Sequence, residues 1–477
     1  MQEAGERRLE KLGAQVALLL AENAALRAEN AKLRARVEEL EARLSQNSSN
    51  SNQPPWSDSP TDREARSGKQ PTGRPRGAQR GHKGWKRTLL PPEKVNRTQD
   101  CFPDRCRRRS CGKWLPRRPF GDPLRHQVVE MPAIVPDATE YRLFSVACDC
   151  GKVTRAPLPR GVPRGMCGPR LMAFIGTLTG IYKLSRREAR LLVSDALGVQ
   201  ISLGALSESE DDVSAAVEAP VEQVRINASE DVLKHIDATS WRQSGKGRTL
   251  WTIATALVTF YGITADGSRA GLRGLLAAVR GILVTDRGTQ FGFWAMDKRQ
   301  ICWAHLIRKF ASFAERKGAA GRLGQDLLFL AQLALHGWHQ VRDGTMSRRR
   351  FQTLMAKIRP AVEKLLDRGQ RSRLRGVSGS CADILKHRLA LWTFVDHEGV
   401  DPTNNHAERE LRGFVLWRKK CFGSQSDRGT RFAARIMTVA QSLRKQRRHV
   451  LEYLTQACQA ALLGRPAPSL LPAMATP

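Results

Sequence analysis

Residues 231–241 read DVLKHIDATSW, and their reading decides the fold. Upstream the apolar residues recur at helical spacing. Here they give way to a short apolar strand that is expected to end in Asp237. TLWTIATALVTFYGI, residues 249–263, is rich in Thr, Val, Ile and aromatics, as one long or two short buried strands would be. RGILVTDRG, residues 280–288, is a further apolar strand ending in Asp286. QICWAHLIRKF (300–310) then opens a helix, and the period stays helical to about 395, with glycine and basic breaks. A new helix follows Pro402 in VDPTNNHAERELRGFVLWRKK (400–420), with Asn404 or Asn405 as its natural N-cap. One amphipathic helix is expected over 426–463, and a Pro-rich, disordered tail over 464–477. The fold class is multidomain α/β.

A chain of 477 residues is too long for one core. Lys plus Arg number 79 against 46 Asp plus Glu, a formal net charge of +33. That balance calls for a polyanionic partner, nucleic acid before an acidic membrane surface. No uninterrupted apolar run reaches the ~18 residues of a spanning helix. No signal peptide is legible, because VALLL at 16–20 belongs to a charged heptad pattern. The expected setting is cytoplasmic, reducing and nucleoid-associated. The ten cysteines are then free thiols or metal ligands rather than disulfides.

Leu12, Leu19, Leu26, Leu33 and Leu40 recur every seven residues, each preceded at three residues by Leu9, Val16, Asn23, Asn30 or Val37. This a/d seam predicts a leucine-zipper coiled coil over 1–44, and hence a homodimer or higher oligomer. The two asparagines would cost stability and fix register. Residues 45–96 are Ser, Asn, Pro, Gly and Arg rich and read as a flexible basic linker. It either tracks phosphates or is simply solvated. Within 97–160, Cys106 and Cys111-Gly112 form one knuckle-like pair, and Cys148 and Cys150-Gly151 another. Two short strands are expected between them. Four thiolates on glycine-bearing turns suit structural zinc, with Cys101 able to replace either member of the first pair. Incidental thiols on a small β unit fit the same spacing. Residues 165–225 are helical, with a cap at Ser185 and a turn near GVQIS, the pattern of a helix-turn-helix or of any helical hairpin. Arg186, Arg187 and Arg190 are its candidate phosphate contacts.

The chemistry lies in three acids. Asp237 and Asp286 at strand ends would lie at the rim of a sheet. On the helix from Asn405, the stripe of Leu411, Phe414 and Val415 puts Glu408 toward the protein and Glu410 toward water, at ~100° per residue. Arg412, four residues on, is the plain salt-bridge partner for Glu408. The functional alternative is a divalent metal shared with Asp237 and Asp286. Three converging carboxylates would hold two Mg²⁺ or Mn²⁺ ions for in-line phosphoryl transfer. Arg409, Arg412, Arg418, Lys419 and Lys420 would hold DNA phosphates.

The motifs DATSWR, ILVTDRG, CWAHLIRKF and NNHAERELRGFVLWRKKCFGS, after a zipper, an Asn/Ser-Pro-Pro linker and a cysteine-bearing segment, resemble transposases of the insertion sequence 66 family along nearly the whole chain. The resemblance implies an RNase H-like catalytic core over 228–425, with a helical insertion at about 305–395. It implies a DDE triad of Asp237, Asp286 and Glu408, with Cys302 and His305 supporting the second aspartate. It implies DNA strand cleavage and transfer at the ends of a mobile element, with accessory proteins in some pathways. The family usually carries glutamate where this chain has Ala238. Two other readings fit parts of the chain. One is a dimeric zipper and helix-turn-helix DNA-binding protein without catalysis. The other is a tyrosine recombinase using Arg444, Arg448, His449 and Tyr453.

Overall fold

The computed structural model describes residues 19–34, 36–37, 40–41, 44–51, 58–59, 88–107 and 109–472. The chain forms two units, residues 64–137 and the remainder. Residues 1–18 of the expected zipper and most of the linker lie outside the described residues. Residues 19–34 are helical, and Leu19, Leu26 and Leu33 on them are exposed, as seam positions are on a single chain. In the smaller unit, Cys106 and Cys111 flank a turn closed by a hydrogen bond from Cys106 N to Lys113 O of 2.9 Å. Leu90 and Gln127 bind each other there through backbone and side chain, at 2.7 and 3.0 Å.

The larger unit opens with a hairpin of β1 (Ser145–Ala147) and β2 (Val153–Arg155) around Cys148 and Cys150. Gly151 at the turn has φ +81°, a conformation open to glycine at little cost. Of the two strands expected before Cys148, only β1 forms. The Pro-broken stretch 126–144 has none, and β1 pairs forward across the turn instead.

Helices α1 (Pro169–Gly176), α2 (Arg186–Leu197), α3 (Leu203–Ala216) and α4 (Glu218–Glu230) follow. Ser185 caps α2 in a reciprocal box with Glu188, Gly198 ends it at φ +67°, and Ser202 caps α3. The central sheet contains β3 (Leu233–Gln243), β4 (Lys246–Ala254), β5 (Thr259–Thr264), β6 (Ile282–Thr285) and β7 (Arg299–Ile301). Its order is β5-β4-β3-β6-β7, antiparallel through β5, β4 and β3, and parallel from β3 to β7. A short helix, α5 (Arg269–Leu275), crosses between β5 and β6. The 249–263 run is therefore two strands. The three-residue strand β7 before CWAH had too little sequence to announce itself.

Helices α6 (Trp303–Ala314), α7 (Gly318–Arg342), α8 (Arg348–Arg371) and α9 (Ser378–Lys386) bury Leu327, Phe351, Leu366, Trp392 and Phe394 in a core separate from that of the sheet. Helix α10 (Asn405–Cys421) returns to the sheet and is followed by α11 (Asp427–Lys445) and α12 (Val450–Leu462). The single helix expected at 426–463 is thus two, broken where Arg447 takes φ +56°. The stretch after it does not hang free through residue 472. Leu470 is fully buried, and Arg448 and Tyr453 donate to carbonyls of Ser469 and Pro468 at 2.9 and 2.8 Å. Among the described residues no helix is long and apolar enough to cross a membrane.

Candidate active site

Helix α10 carries the third acid, and its seat is aromatic. Phe414 and Trp417 meet Trp241 of β3 edge-on at 5.5 and 6.2 Å between centroids, and Phe414 meets Tyr261 of β5 at 4.9 Å. Such pairs add about 0.5–1.5 kcal/mol each beyond their burial. At its C-terminal end, Gly423 has φ +112° and a Cβ there would lie 2.1 Å from Arg242 O. This close approach lets Ser424 N donate to Arg242 O at 2.9 Å. The middle and the C-terminal end of α10 are thereby fixed against β3.

Strand β3 runs on past Asp237 to Gln243, so this acid lies mid-strand rather than at a strand end. The alternation continues to the buried Trp241, and β4 pairs along the whole length. The rim is made by β6 instead. Its register sets His235 beside Val284, and two residues further this places Asp237 beside Asp286, just beyond the last residue of β6. Neighbours on one rung of a parallel pair share a face. Asp237 Oδ1 accepts from Ala238 N and Asp286 Oδ1 from Gly288 N, both at 2.8 Å.

Glu408 lies on the flank of α10 that faces α6. Its Oε1 is buried without a hydrogen-bond partner, and so is His305 Nδ1 at 3.9 Å. That separation is too long for a hydrogen bond. Among the described residues no lysine or arginine pairs with Asp237, Asp286 or Glu408. Arg412 does not neutralise Glu408. The Asp237 carboxyl is pushed up to about 7, first by burial and then by the carboxylates of Asp286 and Glu408. Asp286 and Glu408 thus lie near enough to act on Asp237, while Arg299 Nη2 donates to the backbone carbonyl of Asp286 at 3.3 Å. The Glu408 Oε1 left without a partner is the kind of oxygen ligand that suits a divalent ion such as Mg²⁺.

Cys302 N donates to Thr285 O at 2.8 Å, directly before Asp286, while its Sγ accepts from Asn404 N at 3.2 Å. Burial pushes this thiol up to about 11. Burial, reinforced by Arg308, lowers His305 to about 4, so its ring is neutral at physiological pH. These two residues join the end of β6 to α10, and His305 faces Glu408 rather than Asp286 alone. Ligand atoms of Cys302, His305 and Glu408 all lie within 4.8 Å of one another.

Asn404 occupies the N-cap position of α10 without capping it. Its Nδ2 donates to Ile236 O at 2.8 Å and its Oδ1 faces His235 Nδ1 at 3.3 Å. Asn405 is exposed at the first helical position. The assignment of Glu410 to solvent is corrected. Its side chain is 14 % exposed against 35 % for Glu408. The buried stripe is Ala407, Leu411, Phe414 and Trp417, with Val415 only half-buried. That turns the buried face until Glu410 lies roughly 50° from its centre and Glu408 roughly 110°. Glu410 meets Lys445 at 3.4 Å and Tyr261 Oη donates to its carbonyl at 2.8 Å. The sequence reading missed this network. His406 and Glu410 at i and i+4 were a usable hint, whereas nothing pointed to Lys445.

The cations divide. Arg409, Arg412, Lys419 and Lys420 are exposed on α10, with Lys420 3.7 Å from Glu188. Arg418 folds back onto Thr239 and Ser240. On α2, Arg187 and Arg190 are exposed, and Arg186 is taken by Glu210 at 2.6 Å. The four zinc candidates Cys106, Cys111, Cys148 and Cys150 are free thiols divided between the two units. Tyr453 is buried with its hydroxyl committed to Pro468 O, which leaves the tyrosine-recombinase reading without a nucleophile.

Residues 3–88 match a family of unknown function (DUF6444). An uncharacterized protein, y4hP of Sinorhizobium fredii (strain NBRC 101917 / NGR234), is 26 % identical over 336 residues, which are 62 % of this chain. The match spans 60 % of the length of that relative. The model of the Transposase IS66 family matches residues 164–432, more than half of the chain and the whole of the three-acid site. The chain belongs to the IS66 family of transposases.

Proposed function

We propose that this chain is a DNA transposase that cleaves and joins DNA at Asp237, Asp286 and Glu408. The observation that carries the reading is Asp237 set near Asp286 and Glu408, among the described residues without a lysine or arginine ion pair, where burial and the two neighbouring carboxylates make its charge costly unless a cation joins them. Asp237, Asp286 and Glu408 would hold two divalent ions, which supply an activated hydroxyl and a stabilised leaving oxygen. Backbone amides of Ala238 and Gly288 orient the two aspartates. The exposed Arg409, Arg412, Lys419 and Lys420 hold phosphates near the site, with weaker binding as salt rises. The sheet order and the helices between β7 and α10 support an RNase H-like core with a helical insertion. The exposed leucines of 19–34 support pairing of two copies, and α2 with α3 a helix-turn-helix. Zinc on the cysteine-bearing turns belongs to the same proposal.

A second metal reading has its own support. Cys302, His305 and Glu408 form a softer set that suits Zn²⁺. Against it, Cys302 Sγ already accepts from Asn404 N and its thiol is held protonated.

The test is nicking of a supercoiled plasmid carrying the terminal sequences that flank this chain's own gene. The parent should nick with Mg²⁺ or Mn²⁺ and not with Ca²⁺ or Zn²⁺. Asp237→Asn, Asp286→Asn and Glu408→Gln should each bind DNA and fail to nick. Parental nicking by all three variants would leave the non-catalytic DNA-binding reading.

A further inference from the structure

A chain of buried polar contacts runs from α11 beneath α10 to the strand that carries Asp237. Lys445 Nζ donates to Thr255 O at 2.8 Å and lies 3.3 Å from Val258 O, both in the turn between β4 and β5. The same nitrogen lies 2.8 Å from His406 Nε2 and 3.4 Å from Glu410 Oε1. An ammonium has no acceptor, so the imidazole accepts at Nε2 and carries its proton at Nδ1. His406 stacks on His235 with centroids 5.0 Å apart. His235 faces Asn404 Oδ1, and Asn404 Nδ2 donates to Ile236 O, the carbonyl directly before Asp237.

The functional reading uses none of these side chains as ligands. Their placement is nonetheless specific. His406 and Glu410 bracket Glu408 in sequence, and both are gripped by one nitrogen from another helix. Rotation of α10 about its axis would swing Glu408 away from the two aspartates. It would also break the Lys445 contacts to His406 and Glu410 together. The aromatic seat of Phe414 and Trp417 lies one to two turns further along and is apolar, so it tolerates small rotations that directional hydrogen bonds do not.

We propose that Lys445 and His406 are positioning residues that lock the rotation of α10 and so set Glu408 against Asp237 and Asp286 for metal binding. This rests on the three acids being the metal site. Groups that orient ligands from behind typically contribute 10–100-fold to metal affinity.

The test uses the full chain and two readouts: the Mn²⁺ concentration for half-maximal nicking, and the affinity for a duplex in chelator. Lys445→Met keeps the stem and removes the donor. His406→Leu removes the acceptor, whereas His406→Gln places an acceptor oxygen near the Nε2 position. Lys445→Met and His406→Leu should raise the Mn²⁺ midpoint roughly tenfold or more with duplex affinity unchanged, and His406→Gln should restore most of the difference. A general loss of structure would instead move both readouts together and would not be rescued by glutamine. If Lys445→Met does not fold, the His406 pair decides. Midpoints within twofold of the parent, while Asp286→Asn is inactive, would overturn this inference and leave the active site standing. Parental nicking by Asp286→Asn would sink the functional reading itself.

Discussion

Replacing Asp237 with asparagine should stabilise the metal-free protein while abolishing its chemistry. In the folded chain this carboxyl titrates at about 7 against an ordinary value of 3.8, because it is buried and faces two further carboxylates. Between those values the native state holds a proton that the unfolded chain releases. Native protein then binds more protons than unfolded protein, so stability falls as pH rises from about 4 to about 7. The difference between these two values sets a ceiling of about 4 kcal/mol. Asp237 keeps partial contact with solvent, so about half of that ceiling, roughly 2 kcal/mol, is expected. Asparagine preserves the shape and the acceptor for Ala238 N but never ionises. In chelator at pH 8, Asp237→Asn should melt roughly 2–4 °C above the parent. The gap should close toward pH 4. Millimolar Mn²⁺ should raise the parent and not the variant, since only a ligand bound to the native state stabilises it. Scanning calorimetry from pH 4 to 9 reads all three. A gap independent of pH, or a variant less stable than the parent at pH 8, would refute the electrostatic reasoning.

Glu410→Leu should destabilise the chain by about 3 kcal/mol in urea unfolding, because it strands the buried Lys445 charge; parental stability would mean that Lys445 finds another anion. Deleting residues 1–44 should lower the oligomeric state in light scattering and leave the core folded, and an unchanged oligomer would remove the zipper from the account. Metal analysis should find about one zinc per chain, reduced by Cys148→Ser or Cys150→Ser; zinc-free protein with normal DNA binding would remove the knuckles from it.

The elements that announced themselves were those with a strong local code. The Ser185–Glu188 box, the β-branched runs of β4, β5 and β6 and the helix after Pro402 are all where their residues demand. Asp237 and Asp286 were legible as candidates because each stands in or directly after an apolar strand. Their adjacency depends on the register of β3 and β6, which no spacing along the chain encodes. The face of α10 was misread for a definable reason. Val415 and Trp417 are both apolar, and only the packing of Trp417 against Trp241 tells which one is buried. Lys445 was invisible because a lysine on a basic amphipathic helix ordinarily faces water. Here the Thr255 and Val258 carbonyls at the β4–β5 turn draw it inward.

The central claim is that these carboxylates hold the metal that cuts DNA, and Asp286→Cys tests it most directly. Mg²⁺ demands hard oxygen ligands in strict octahedral geometry, whereas Mn²⁺ accepts softer donors more readily. The parent should nick plasmid DNA with either ion. Asp286→Cys should be inactive with Mg²⁺ and regain nicking with Mn²⁺, and Asp286→Ala should be inactive with both. Parental nicking by Asp286→Ala in Mg²⁺, or equal activity of Asp286→Cys with the two ions, would contradict the claim.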